Sequence, residues 1–132
     1  MNQIQALHQK AMDLAEAAAV ARLRGTPEQA AQLTRQAFEK ETQAAALIAN
    51  SLDAEPTRSV LHRSAASLAI ECGELQVAER LITTSLSGNS PLEIAEELKD
   101  LFIQINLKQY LKRQGIHIDL NQLQGLVNHP SY

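Results

Sequence analysis

Apolar side chains recur along the first two dozen residues on one helical stripe, Ile4, Leu7, Ala11, Leu14, Ala18 and Ala21, the spacing that an amphipathic helix requires. Gly25 follows, where a left-handed C-cap costs least, so the pattern predicts a helix over about residues 2–24. Thr26-Pro27-Glu28-Gln29 then reads as a capping box, with the Thr26 hydroxyl accepting the Gln29 N–H and Pro27 giving up only an orphan donor. A second helix to about residue 50 carries Ala30, Leu33, Ala37, Phe38, Ala44, Leu47 and Ile48. Asp53-Ala54-Glu55-Pro56 opens a third, with Val60, Leu61, Ala65, Leu68 and Ala69 ahead of Gly73. The fourth holds Leu75, Ala78, Leu81, Ile82 and Leu86 and is closed by Gly88. Ser90-Pro91-Leu92-Glu93 forms a second capping box and starts a fifth helix to about residue 113. That helix is apolar on two sides, with Ile94, Leu98, Leu101 and Ile105 on one and Leu92, Ala95 and Phe102 on another, so it calls for more than one neighbour. Beyond Gly115, Ile116, Ile118 and Leu120 alternate as in a short strand, and Asp119-Leu120-Asn121-Gln122 can cap a last turn or two of helix.

The pattern repeats at an offset of 48 residues. Leu14, Ala17, Ala18, Ala21, Gly25, Ala30, Ala37 and Phe38 correspond to His62, Ala65, Ala66, Ala69, Gly73, Ala78, Ser85 and Leu86. Each half is an apolar helical face, a Gly stop and a second helix with small residues at matching points: a helical hairpin written twice. The small residues set how closely two backbones approach, so the repeat specifies packing and carries no chemistry.

The second hairpin, Ala65-Ala66, Ala69, Gly73-Glu74-Leu75, Ala78, Ile82 and Ser85-Leu86, resembles the tetratricopeptide repeat (TPR). The first, with Ala17-Ala18, Ala21, Gly25, Ala30, Ala37 and Phe38, matches less fully, Thr26-Pro27 replacing the family's turn. Residues 55–101 as a whole also resemble bacterial TPR-like proteins. The 48-residue period exceeds the ~34 of a standard TPR, which puts some four extra helical turns in the second helix. Leu14 and His62 stand where the family carries a large aromatic. The resemblance implies an all-α, right-handed array of two antiparallel hairpins (about 2–50 and 56–87), a long capping helix (about 91–113) and a C-terminal segment (115–132). It also implies a partner-binding groove lined by first-helix residues of each hairpin, with Glu16, Arg22, Arg63, Ser67 and Glu71 as its polar contacts. The Lys/Asn cluster with which some TPR domains clamp a terminal carboxylate is missing from the matching positions.

Composition bounds the rest. A chain of 132 residues holds one modest core, and a net charge of -3 without like-charge runs gives neither a nucleic-acid arm nor a membrane patch. Four aromatic residues and no Trp leave little to stack on bases. The alanine-rich run at residues 15–21 is broken by Glu16, so it reads as neither signal peptide nor membrane span. Cys72 is a lone cysteine, which fits a reducing compartment, and its simplest role is a small buried hydrophobe. His8, His62, His117 and His129 lack metal-ligand spacing, and His62 falls on a core-facing position. Glu93, Glu96, Glu97 and Asp100 complement the start of their helix and Lys108, Lys112 and Arg113 its end.

The sequence therefore predicts a cytoplasmic protein–protein interaction or scaffold module without cofactor, metal site, membrane span or catalytic role. The rival is a helical-repeat nucleic-acid binder using Arg22, Arg24, Arg35, Arg58 and Arg63 with the fifth-helix cations Lys108, Lys112 and Arg113, which the acidic balance and the scarce aromatics disfavour. The wide apolar face of the fifth helix, an overhanging second helix and the apolar C-terminal segment predict a homodimer, with Leu101, Phe102 and Ile105 as anchors.

Overall fold

Two backbone turns, identical bond for bond, set the architecture of this chain. The computed structural model describes residues 2–115. They form α1 (Asn2–Leu23), α2 (Pro27–Ile48), α3 (Thr57–Glu71), α4 (Leu75–Leu86) and α5 (Leu92–Arg113), with no strand among the described residues. Gly25 and Gly73 sit at φ 77° and 76°, the left-handed region where a Cβ is strained. Each glycine N–H bonds the carbonyl three residues back, Arg22 at 3.1 Å and Ile70 at 3.0 Å. The next N–H reaches five back, Thr26 to Ala21 at 3.0 Å and Glu74 to Ala69 at 2.8 Å. The 48-residue repeat is thus present in the hydrogen bonds themselves, and it turns α2 back along α1 and α4 back along α3.

Alanine governs the first hairpin. Ala11, Ala18 and Ala21 of α1 and Ala30, Ala37, Ala44 and Ala45 of α2 are all buried, so the two backbones pack closely along their whole length. Both helices have 22 residues, about 33 Å each. The extra turns expected to overhang in α2 are therefore matched by α1, whose first turns place Ile4 in the core and His8 against Glu41. The α3 helix is the centre of the molecule, packed on α2, α4 and α5, with Leu61, Ala65, Ala66, Leu68 and Ala69 buried.

Arg58 ties these elements together at the start of α3. Its side chain is 1% exposed, and its guanidinium donates to Ala49 O at 2.7 Å, Thr84 O at 2.8 Å and Ser85 O at 3.2 Å. Those carbonyls belong to the ends of α2 and α4, where four acceptors per helix lack intrahelical partners. One cation therefore caps two helix C-termini, whose dipoles favour positive charge, with the Glu55 carboxylate 3.6 Å away. Gly88 is needed here for space, and its φ is not positive. A Cβ on Gly88 would lie 2.6 Å from Arg58 Nη1.

Neither capping box forms. The Thr26 hydroxyl donates backwards to Ala21 O at 2.9 Å, closing the turn it was expected to leave. Ser90 turns inward: its hydroxyl accepts from Ser59 Oγ at 2.8 Å and donates to Ser85 O at 2.9 Å, joining α3 to the end of α4. Pro27 does occupy the first turn of α2, as the sequence indicates.

Arg58→Met, which fills the volume but removes the three guanidinium bonds and the cation beside the Glu55 carboxylate, is expected to cost ~3–5 kcal/mol of stability. Gly88→Ala is expected to cost ~1–3 kcal/mol by overpacking the guanidinium. Chemical denaturation measures both, and losses under about 0.5 kcal/mol, the scale of ordinary surface substitutions, would show that this contact does not hold the helix ends.

Candidate binding cleft

The end of the molecule opposite Arg58 opens into a cleft of about 400 Å³ between the C-terminal ends of α1 and α3, floored by the first turns of α2. Pro27, Ala30, Ala31 and Thr34 form the floor, and Arg22, Arg35, Glu71 and Cys72 form the rim. Ala30 is buried against the first hairpin's core, and the exposed Ala31 beside it is too small to fill the space above. Arg22 donates to Thr34 Oγ1 at 3.0 Å and lies 3.6 Å from the Glu71 carboxylate. Arg35 pairs with Glu74 at 2.7 Å and stacks over the Phe38 ring, 5.4 Å from its centroid. The hydrogen bond that Arg35 donates to the Glu74 carboxylate raises the Arg35 pKa above its ordinary value, against the opposing effect of desolvation.

Both ion pairs join the first hairpin to the second. All four side chains are between a third and a half exposed, so water competes with both pairs and each adds little to stability. Their charges cancel, and the cleft as it stands offers a polar, neutral rim over an apolar floor. Burial pushes the Cys72 thiol up, outweighing the pull of Arg35 in the other direction, so the group is a thiol and not a nucleophilic thiolate at neutral pH.

The structure divides the residues expected to line one groove. Arg22 and Glu71 come together at the cleft, and Ser67 lies exposed one turn before Glu71 on the same face of α3. Glu16 points to a different side of α1, in a shallow depression with Asp13, Val20 and Arg24 against Gln29 and Leu33 of α2. Arg63 is turned towards α5, its Nη1 3.0 Å from the Glu97 carboxylate. Of the expected dimer anchors, Ile105 is 3% exposed and belongs to the core, while Leu101 and Phe102 are half-buried against that core. Leu92, Ile103 and Tyr110 are the large apolar residues that α5 exposes. The interface calls on residues 115–132 lie beyond Gly115 and outside the described residues, as do His117 and His129.

Among the five arginines considered for nucleic-acid binding, Arg58 is interior and Arg22, Arg35 and Arg63 are paired with carboxylates. Arg24 alone has no ion pair among the described residues. No three His, Cys, Asp or Glu side chains among the described residues are placed to hold a metal ion, and no described helix is long and apolar enough to cross a membrane.

Two polar groups on the helices are buried, and the sequence marked both positions. Glu41 is fully buried and lies 2.9 and 3.0 Å, through its two carboxylate oxygens, from His8 Nδ1. Its position on the stripe Ala30, Thr34, Ala37, Phe38, Glu41, Ala44, Ala45, Ile48 was visible, since a charged residue in register with a core face is buried with a partner or not at all. His62 is buried as expected, and its Nδ1 bonds Arg58 O at 2.7 Å, which makes that nitrogen the donor. Comparison of the chain with known protein families, with curated proteins and with solved structures finds no match.

Burial is the largest influence on His62 and lowers its pKa below the ordinary 6.5. The unfolded chain then binds a proton that the folded chain refuses, so this contribution to stability is complete above about pH 6.5 and is lost progressively as the pH falls towards the lower folded value. His62→Asn, which keeps a donor near the Nδ1 position, is expected to show a flatter fall in stability than the parent between about pH 6.5 and pH 5. Parallel slopes in denaturant titrations across that range would show that His62 is not the responsible group.

Proposed function

We propose that this chain is a TPR-like protein–protein interaction module, a right-handed array of two hairpins and a long fifth helix, and that its cleft receives a short segment of a partner protein. The single observation that carries this reading is the duplicated hairpin whose two turns share the same glycine conformation and the same hydrogen bonds, together with the recess left between the C-terminal ends of α1 and α3. A peptide suits that recess on physical grounds. Its floor accepts a small apolar side chain over Ala30 and Ala31, and the half-exposed Arg22–Glu71 pair can exchange partners with ligand charges at little cost. The lone Cys72 fits a reducing compartment, so the proposal places the module in the cytoplasm.

Reversing the pair, Arg22→Glu with Glu71→Arg, keeps opposite charges across the rim and is expected to change stability by no more than about 0.5 kcal/mol. Capture of partner protein from the native host is expected to fall at least about tenfold, the equivalent of ~1.4 kcal/mol. Undiminished capture by a folded, charge-reversed protein would remove the cleft as the recognition surface.

A further inference from the structure

The α3–α4 turn and the second half of α5 enclose a cavity of about 120 Å³ that shares no residue with the cleft. Ile70, Gly73 and Leu75 line it from the turn, and Gln104, Ile105 and Lys108 from α5. Most of this lining is apolar, yet three polar features meet there. The Gln104 side chain is 6% exposed and makes no hydrogen bond among the described residues, an arrangement that costs free energy until something completes it. Lys108 continues the stripe Ile94, Leu98, Leu101 and Ile105 by which α5 meets the core, a position where the stem covers apolar surface and the ammonium reaches water. It stands before the last turn of α5, where Lys112 and Arg113 already complement the helix dipole. Leu75 opens α4, whose N-cap makes no side-chain bond and whose first turn has no acidic residue. Orphan N–H groups and the positive end of that helix therefore lie beside the cavity.

Charge and volume select the occupant. No carboxylate lines the cavity, and Glu71 and Glu74, which flank the turn, are paired with Arg22 and Arg35. A donor amide, an ammonium and a helix N-terminus call for an anion, and Ile70, Leu75 and Ile105 call for one with an apolar part. Drug-sized ligands occupy roughly 300–1,000 Å³, which is too much for this space. A cavity of ~150 Å³ takes up benzene, so about six heavy atoms fit here.

We propose that this cavity binds a small branched-chain carboxylic acid as its anion. The alkyl group lies against Ile70, Leu75 and Ile105, and the carboxylate accepts from the Gln104 amide and pairs with Lys108 at the mouth. The assignment is independent of what the cleft binds.

Isovalerate is the probe, added to the full chain and followed by nuclear magnetic resonance. Titration into the millimolar range, where ligands of this size bind, is expected to shift the signals of Gly73, Leu75 and Ile105 saturably and to leave those of α1 unmoved. Isovaleramide has the shape without the charge, and inorganic phosphate the charge without the alkyl group; each is expected to bind at least about tenfold more weakly. N-acetylvaline, which carries the same groups on a peptide bond, is expected to be weaker too, for want of room. Lys108→Gln changes an exposed side chain, and Gln104→Leu keeps the volume while removing the donor. Both variants are expected to stay folded and to weaken isovalerate binding at least about tenfold. Absence of saturable shifts, equal affinity for isovaleramide or phosphate, tighter binding of N-acetylvaline, or undiminished affinity in either folded variant would overturn the proposal.

Discussion

Arg58 carries a full charge into the middle of the molecule, and the polar chemistry of the fold is arranged to keep it bonded. A buried guanidinium without partners costs several kcal/mol. Here the partners are the carbonyls of Ala49, Thr84 and Ser85, at the ends of α2 and α4. Each side solves the other's problem. The neighbouring residues follow from this: Gly88 leaves the guanidinium its space, Ser59 and Ser90 bond towards Ser85, and His62 donates back to the Arg58 carbonyl. Leu61, Ala65 and Leu68 would bury similar area in several registers of α3, but only one register puts Arg58 at two helix ends.

Alanine does the complementary work in the first hairpin. A face of Ala11, Ala18, Ala21, Ala30, Ala37 and Ala44 allows close approach but discriminates weakly between registers, because one alanine packs much like another. Glu41 supplies the missing discrimination. Its carboxylate is fully buried and meets the His8 imidazole at one alignment of α1 and α2, so sliding either helix by a turn would strand a charge in the core.

The sequence showed five helices, their ends and the 48-residue duplication, because hydrophobic period and glycine stops are local signals. What it hid was which polar residues go inside. Arg58 looked like a surface cation because its acceptors lie nine, 26 and 27 residues away, and no local pattern announces orphan carbonyls on two other helices. Thr26 and Ser90 had the letters of capping boxes, yet nearby carbonyls at Ala21 and Ser85 competed for their hydroxyls and won. Glu41 was different, since its place on an apolar stripe was readable from spacing alone. At the cleft, Arg22 and Glu71 were both named, but their pairing and the separation of Glu16 and Arg63 depend on how the two hairpins are rotated against each other.

The junction between the hairpins is consequently unequal along its length. At the start of α3 the Arg58 guanidinium crosses it once, to Ala49 O at 2.7 Å, while its bonds to Thr84 and Ser85 stay within the second hairpin. At the end of α3, about 20 Å away by helical rise, it is spanned by Arg22–Glu71 and Arg35–Glu74, both exposed enough for water to compete. The single bond at the start of α3 is charge-assisted and comes from a side chain 1% exposed, whereas the two pairs at its end are open to water and to other ions.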